Sequence, residues 1–173
     1  LTLIYTLIIE LIGTVGYFIV LIKNFSFTEA LYSSLFHSVS AFCTAGFGLY
    51  PDSLSSYSGN LIINFNTFFL VITGGIGFFV LYDLLNFVKQ KIKKNKVVRL
   101  SLHTKLVLSF TFSLFLFGAL IILIAEHTKF SENIFQNILN AFFQSISAST
   151  TVGFNTIDIT IMSNASLFVM IIL

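Results

Sequence analysis

A fourteen-residue stretch occurs twice in this chain, and this repeat restricts the fold more than any other feature of the sequence. The first copy covers residues 35–48, and the second, 107 residues later, covers residues 142–155. Both copies end in Thr-x-Gly-Phe followed by Gly or Asn, and seven of the fourteen aligned positions are identical. The identical pairs are Phe36/Phe143, Ser38/Ser145, Ser40/Ser147, Ala41/Ala148, Thr44/Thr151, Gly46/Gly153 and Phe47/Phe154. An ungapped match of this kind indicates a duplicated structural unit.

The segments on either side of each copy are too apolar for a water-soluble fold. Of the 173 residues, 56% are hydrophobic and only 9% are charged, whereas soluble domains have about 25% charged residues. Six of the nine Lys and Arg residues lie within 89–99. A short basic run between apolar segments indicates a cytoplasmic loop rather than a nucleic-acid site, and it can also contact anionic lipid or a cytosolic partner. We therefore expect an all-α integral membrane protein.

The first unit is predicted to occupy residues 1–88. Leu1 to Ile22 has the length of a membrane span, since about 20 residues cross the hydrocarbon. Ser26 and Glu29 have the spacing of a capping box, which begins a helix over about 27–42. That helix is too short to span, at about 1.5 Å per residue, and it leads into the Thr-x-Gly-Phe loop at 44–48. An apolar helix from Asn60 to Asn86 follows.

The second unit repeats this order over residues 103–173, after a basic cytoplasmic linker at 89–102. His103 to Ala125 is predicted to span. Ser131 is the expected cap of a second half-helix over about 131–149, which leads into the loop at 151–155. A last apolar segment begins near Met162 and is cut at Leu173, so the chain is expected to be part of a longer protein.

The two loops have the composition of a carbonyl-lined cation filter. Glycine tolerates the positive φ that aligns consecutive carbonyls, and each half-helix directs the negative end of its dipole at the loop. Carbonyl rings of this kind select potassium in channels. The predicted ion-binding residues contribute backbone carbonyls rather than side chains, and they are Thr44, Ala45, Gly46, Phe47, Thr151, Val152, Gly153 and Phe154. The alternative is a pair of tight turns that share small residues.

The chain resembles the potassium-translocating membrane subunits of the bacterial Ktr/Trk/HKT superfamily, and most closely the KtrB type. The resemblance is carried by Phe36–Phe42 before Ala45-Gly46-Phe47, and by Phe143–Ser147 before Thr151–Thr156. The junction Arg99–Lys105 is also similar. Members of the superfamily have four repeats of span, pore helix and span around one filter. The resemblance implies that this chain contains the second and third repeats, with the third truncated before its gating loop.

The resemblance also implies the function and the partners. We expect potassium uptake across the bacterial inner membrane, with sodium dependence, by a homodimer seated on a cytosolic KtrA-like ring. The ring rather than this chain would bind the nucleotide, so no cofactor is expected here. The alternatives are a subunit of a plain potassium or monovalent cation channel and an intramembrane enzyme. The sequence has no zinc-protease motif and no pair of membrane aspartates, and we expect no enzymatic activity.

Other polar residues and glycines have two interpretations each. Asp52 and Asp158 follow the loops and either concentrate cations at the outer mouth or are ordinary loop acids. Glu10 lies inside a span, where an ionisable residue suggests function, or it is paired with a neighbouring helix. His37 aligns with Gln144, which indicates a shared polar position with a packing role or a gating role. The glycines at 74, 75 and 77 indicate a bend beside the ion path or, as we favour, close helix packing.

Overall fold

The computed structural model describes residues 2–93, 99–126 and 133–173, and this part of the chain is helical, with short loops. Seven α-helices follow one another within these ranges, together with two single turns of 3₁₀-helix. They are α1 (Thr2–Leu21), α2 (Phe27–Phe42), α3 (Leu61–Gly75), α4 (Phe78–Ile92), α5 (Leu102–Ala125), α6 (Ile134–Ser149) and α7 (Asn164–Ile172). The predicted all-α membrane fold is confirmed.

Two of these helices are long and apolar enough to cross a membrane, namely α1 and α5. The sides of α1 and α5 that face away from the other helices expose large apolar residues such as Leu3, Leu7, Phe110 and Phe117. An apolar surface of this kind is stable in hydrocarbon. The backbone polar groups beneath it are also tolerated there, because a helix satisfies its own backbone hydrogen bonds. The chain is therefore built as an integral membrane protein.

The prediction of one helix over Asn60 to Asn86 is wrong, although a bend at its glycines was one of the two interpretations. The structure has two helices, α3 and α4, which meet at an angle of 108° around Gly77. Gly77 has a φ of 89°, a left-handed value that disrupts helical hydrogen bonding and that glycine adopts without steric cost. Together α3 and α4 have the length and composition of one broken span.

The preference for packing over bending was only partly correct for the three glycines in this segment. A Cβ on Gly74 would overlap the carbonyl oxygen of Phe42, the last residue of α2. Gly74 therefore allows α3 to contact the end of the half-helix, as small residues do in membrane proteins. Gly77 makes the bend instead, with nothing within 4 Å of a Cβ there. Gly74 thus allows close packing, and Gly77 makes the bend.

Both half-helices begin close to the predicted positions. The capping box at Ser26 and Glu29 forms, with both reciprocal hydrogen bonds present. The second half-helix starts at Ile134, with the side chain of Asn133 accepting from the backbone N–H of Phe135. Ser131, the predicted cap, lies outside the described residues. The final helix starts at Asn164, two residues after Met162, because Ser163 provides its cap.

The repeat extends beyond the fourteen residues to the first helix of each unit. Ser38 donates a hydrogen bond of 2.6 Å to the carbonyl of Glu10 in α1. Ser145, its counterpart in the repeat, donates a hydrogen bond of 2.8 Å to the carbonyl of Phe115 in α5. Three residues after each acceptor lies a glycine, Gly13 or Gly118, at which a Cβ would overlap the serine hydroxyl. Each half-helix is therefore fixed to the span of its own unit in the same way.

Candidate ion-filter site

The two Thr-x-Gly-Phe loops leave their half-helices with the same backbone hydrogen bonds. We call residues 44–48 the first filter loop and residues 151–155 the second. The N–H groups of Ala45 and Val152 donate to the carbonyls of Ser40 and Ser147, at 2.9 and 3.1 Å. These bonds satisfy carbonyls that the end of a helix leaves without a partner. Each loop therefore begins at the negative end of a helix dipole.

Both loops have positive φ at alternate residues. Gly46 and Gly153 have φ of 65° and 79°, as the sequence predicts, and Thr44 and Thr151 have φ of 50° and 58°. A β-branched residue with positive φ is a steric outlier, because its Cβ crowds the backbone. Strained residues of this kind persist where the surrounding structure holds them, often at functional sites.

A serine on each half-helix fixes the outer part of its own filter loop. Ser40 donates to the carbonyl of Phe47 at 2.8 Å, and Ser147 donates to the carbonyl of Phe154 at 2.6 Å. These bonds hold the carbonyls of Phe47 and Phe154 against the half-helices. Both carbonyls are among those predicted from the sequence to line the ion path. Both serines are identical positions of the repeat, which was the signal that could have identified them.

The two filter loops are in direct contact with each other. A Cβ on Gly46 would overlap the carbonyl oxygen of Val152, so this carbonyl points from the second loop at the backbone of the first. Farther out, Leu54 donates its N–H to the carbonyl of Asn155 at 3.0 Å. Asn155 donates its own N–H to Ser53 Oγ at 3.1 Å. The structure thus brings the two predicted filter segments, which are 107 residues apart, to one place.

Aromatic packing between the units is one-sided. Phe154 is fully buried, with its ring centroid 6.2 Å from that of His37 in the first unit. Phe47, at the equivalent position of the first loop, is 69% exposed. Similarly, nothing lies within 4 Å of a Cβ built on Gly153, whereas a Cβ built on Gly46 would overlap the carbonyl oxygen of Val152. The second unit therefore packs on one side of the first, and each unit has one side of its filter loop uncovered.

A cavity of about 350 Å³ adjoins the helix-proximal end of both loops. Threonines from both units line it, together with residues of α3 and α5. No charged side chain contributes to its wall. Hydroxyl and carbonyl groups near two helix C-termini favour a monovalent cation over an anion. The residues that line this cavity include Thr44, Thr111, Thr150, Thr151 and Gly75.

A second cavity, of about 600 Å³, adjoins the outer end of the loops and includes both predicted acids. Asp52 accepts hydrogen bonds from the N–H and hydroxyl of Ser56. Asp158 accepts from the N–H and hydroxyl of Thr160, at 2.9 and 2.7 Å. In both cases the side-chain hydrogen bond is the main cause that lowers the pKa of the carboxyl below its usual value. Both acids are therefore ionised at neutral pH and make the outer cavity negative.

The remaining polar residues take structural positions. His37 is buried; its Nδ1 lies 2.7 Å from the carbonyl of Ser33, and its Nε2 accepts from the N–H of Leu49 at 3.4 Å. The backbone carbonyl of Glu10 accepts a hydrogen bond from Ser38 of the half-helix. Within the described ranges, no group of three or more His, Cys, Asp or Glu residues is arranged to hold a metal ion.

Comparison with known proteins identifies relatives over nearly the whole chain. Residues 1–173 match the family model described as TrkH, cation transport protein. The chain is 37% identical to Ktr system potassium uptake protein B of Bacillus subtilis over 158 residues, which is 89% of this chain and 34% of that protein. It is 34% identical to potassium/sodium uptake protein NtpJ of Enterococcus hirae over 166 residues, 94% of this chain and 35% of that protein. It is 34% identical to Ktr system potassium uptake protein B of Vibrio alginolyticus over 173 residues, which is 98% of this chain and 37% of that protein. The chain spans about a third of the length of these relatives.

Proposed function

Because this chain belongs to the TrkH family of cation transport proteins, we propose that it forms part of a potassium uptake pathway. The proposed pathway runs between the carbonyls of the two filter loops, from the outer cavity to the inner one. The observation that carries the proposal is the contact at Gly46, where the second loop presents the carbonyl of Val152 to the first loop. This contact supports the proposal, because it brings together two segments that are far apart in sequence and that would form adjacent walls of the path.

Carbonyl oxygens suit a dehydrated monovalent cation, because they replace its hydration shell without adding a full charge. The carbonyls of Phe47 and Phe154 bond to serines, and that of Val152 is directed at Gly46. We therefore assign the ion-facing carbonyls to residues 44–46, 151 and 153. The ionised Asp52 and Asp158 raise the local cation concentration at the outer cavity. The dipoles of α2 and α6 stabilise an ion beside the inner cavity.

The uncovered sides of the filter loops support a path completed by further repeats of a longer chain. Contacts between the two units are head-to-tail, since the first unit offers Gly46 and His37 and the second offers Val152 and Phe154. Head-to-tail contacts either close into a ring or continue. The proposal also includes a ring of four repeats, a homodimer and a cytosolic nucleotide-binding ring. These three features rest on the resemblance to KtrB-type subunits.

Potassium is the proposed substrate, because the relatives from Bacillus and Vibrio are named as potassium uptake proteins. Sodium is the second candidate, either as a coupled ion or as cargo, because the Enterococcus relative is named as a potassium/sodium uptake protein. A plain monovalent cation channel would use the same filter loops without sodium dependence. Sodium added to the uptake assay separates these cases.

Rubidium uptake by the full-length protein tests the proposal in cells that lack their own potassium uptake. Gly46→Ser introduces a Cβ that overlaps the Val152 carbonyl and strains a left-handed backbone. We expect it to lower rubidium uptake at low external concentration at least tenfold or to convert uptake to sodium permeation. Gly59→Ser is the matched control, since a Cβ at Gly59 has only ordinary contacts, the nearest at 3.7 Å, and Gly59 lines neither cavity of the proposed path. Unchanged rubidium uptake by a well-inserted Gly46→Ser protein would contradict the proposal.

A further inference from the structure

The second filter loop has an amide side chain where the first filter loop has no side chain at all. Asn155 ends the second loop, and Gly48 is its counterpart in the repeat. The side-chain Nδ2 of Asn155 donates to the carbonyl of Gly153, two residues back, at 3.3 Å. Gly48 has no side chain with which to bond the equivalent carbonyl of Gly46. The two loops therefore differ in how the carbonyl of the filter glycine is held.

The two carbonyls that follow Gly153 in the second loop are bonded within the protein. The carbonyl of Phe154 accepts from Ser147, and the carbonyl of Asn155 accepts from the N–H of Leu54. Gly153 is therefore the outermost residue of this loop whose carbonyl is assigned to the ion path. A carbonyl oxygen has two lone pairs, so it can accept from an amide and bind a cation at the same time.

The backbone of Asn155 is held by the segment that follows the first filter loop. Its N–H donates to Ser53 Oγ at 3.1 Å, and its carbonyl accepts from the N–H of Leu54 at 3.0 Å. Ser53 has a φ of 56°, and the other non-glycine residues with positive φ in the described part of the chain are Thr44 and Thr151. A left-handed residue of this kind persists where the surrounding structure holds it. The first unit thus fixes the position from which the Asn155 side chain donates.

We infer that Asn155 is a positioning residue of the ion path, which directs the carbonyl of Gly153 at the ion by bonding one of its two lone pairs. The inference rests on the proposed function and adds a selectivity residue outside the Thr-x-Gly-Phe pattern that the two loops share. Selectivity between monovalent cations depends on the carbonyls that replace the hydration shell of the ion. A carbonyl that can turn away from the path therefore lowers selectivity, and the Asn155 amide prevents this turn.

Removal of the amide should change ion selectivity rather than the amount of functional protein. In the full-length protein, we expect Asn155→Ala to lower the ratio of rubidium to sodium uptake about fivefold, as the loss of one hydrogen bond implies. The first unit has glycine at the equivalent position, so a small residue is compatible with the fold of the loop. A purely structural role would instead lower the uptake of both ions together and leave their ratio unchanged.

A second variant, Asn155→Asp, separates the hydrogen bond from the effect of charge. The carboxylate has nearly the shape of the amide but no donor, and residue 155 lines the same outer cavity as Asp52 and Asp158. An added negative charge attracts rubidium and sodium alike, so by itself it leaves their uptake ratio unchanged. We expect the ratio to fall at least as far as in Asn155→Ala. Asn24→Ala is the matched control, because Asn24 is exposed and lines neither cavity of the proposed path.

The uptake ratios separate the inference from the proposed function on which it rests. A lowered ratio in both Asn155 variants with a normal ratio in Asn24→Ala supports the inference. A normal ratio in either Asn155 variant overturns it, and if Gly46→Ser still lowers rubidium uptake, the proposed function stands without it. If Gly46→Ser has no effect either, the proposed function fails, and the inference fails with it.

An experimental structure of the full-length protein with bound rubidium decides the matter even if the Asn155 variants do not insert into the membrane. The inference predicts the Asn155 amide at about 3 Å from the carbonyl oxygen of Gly153, with an ion on the other side of that oxygen. An Asn155 side chain turned away from this oxygen would overturn the inference, whereas the absence of ions between the two loops would contradict the proposed function first.

Discussion

At the scale of single residues, the outer part of each filter loop depends on one hydroxyl of its half-helix. Ser40 and Ser147 hold the carbonyls of Phe47 and Phe154 at 2.8 and 2.6 Å. The bonds are buried or partly buried, so each contributes about 1 kcal/mol. They also direct these carbonyls toward the helix, so in the proposed function the ion is bound by other carbonyls of each loop.

Replacing Ser147 with alanine tests this role. The carbonyl of Phe154 would lose its partner, and the loop would gain freedom to turn that carbonyl into the path. We expect Ser147→Ala in the full-length protein to lower the rubidium-to-sodium uptake ratio several-fold while membrane insertion stays normal. Ser34→Ala is the control, because Ser34 donates to the carbonyl of Ala30 within its own helix and lines neither cavity of the proposed path. Equal ratios in the two variants would contradict the assignment.

At the scale of helices, the break between α3 and α4 separates glycines with different roles. Gly74 has the rigid backbone of Phe42 against it, Gly77 has a positive φ but open space, and Gly75 has neither constraint. Only a backbone clash or a left-handed conformation makes an added methyl costly. Three glycines within four positions therefore respond differently to the same change.

Alanine at each of these glycines is expected to give a ranked series of thermal stabilities in detergent. Gly74→Ala should destabilise most, because helix α3 must move away from α2. Gly77→Ala should cost about 1–2 kcal/mol for a left-handed alanine, and Gly75→Ala should be nearly neutral. A Gly77→Ala protein as stable as Gly75→Ala would show that the bend does not require a positive φ.

The sequence predicted most of the local architecture but little of what joins the elements. The half-helices, the capping box at Ser26 and the positive φ of Gly46 followed from spacing and residue type. The bend at Gly77 did not, because a glycine cluster in an apolar helix serves packing and bending equally well. The hydrogen bond from Ser40 to the carbonyl of Phe47 was also missed, since it depends on tertiary placement. For His37 a shared polar position was predicted, but not its contacts with Leu49 and Phe154. Alignment of the two copies pointed to these positions without giving their partners.

At the scale of the whole molecule, the two units contact each other head-to-tail. Phe47 is 69% exposed and Phe154 is fully buried, although the two are identical positions of the repeat. Gly46 is covered and Gly153 is not. Differences of this kind between equivalent residues arise when the same contact is made on one side and is missing on the other. The account therefore requires both filter loops to face one ion path that further repeats complete.

The most direct measurement of this claim is the location of bound ions in crystals of the full-length protein, by anomalous scattering from rubidium or thallium(I). The proposed function predicts peaks on a single line between the two loops, within coordination distance of the carbonyls at 44–46, 151 and 153. Peaks confined to the cavity at Asp52 and Asp158, or no peak between the loops at saturating ion concentration, would contradict it.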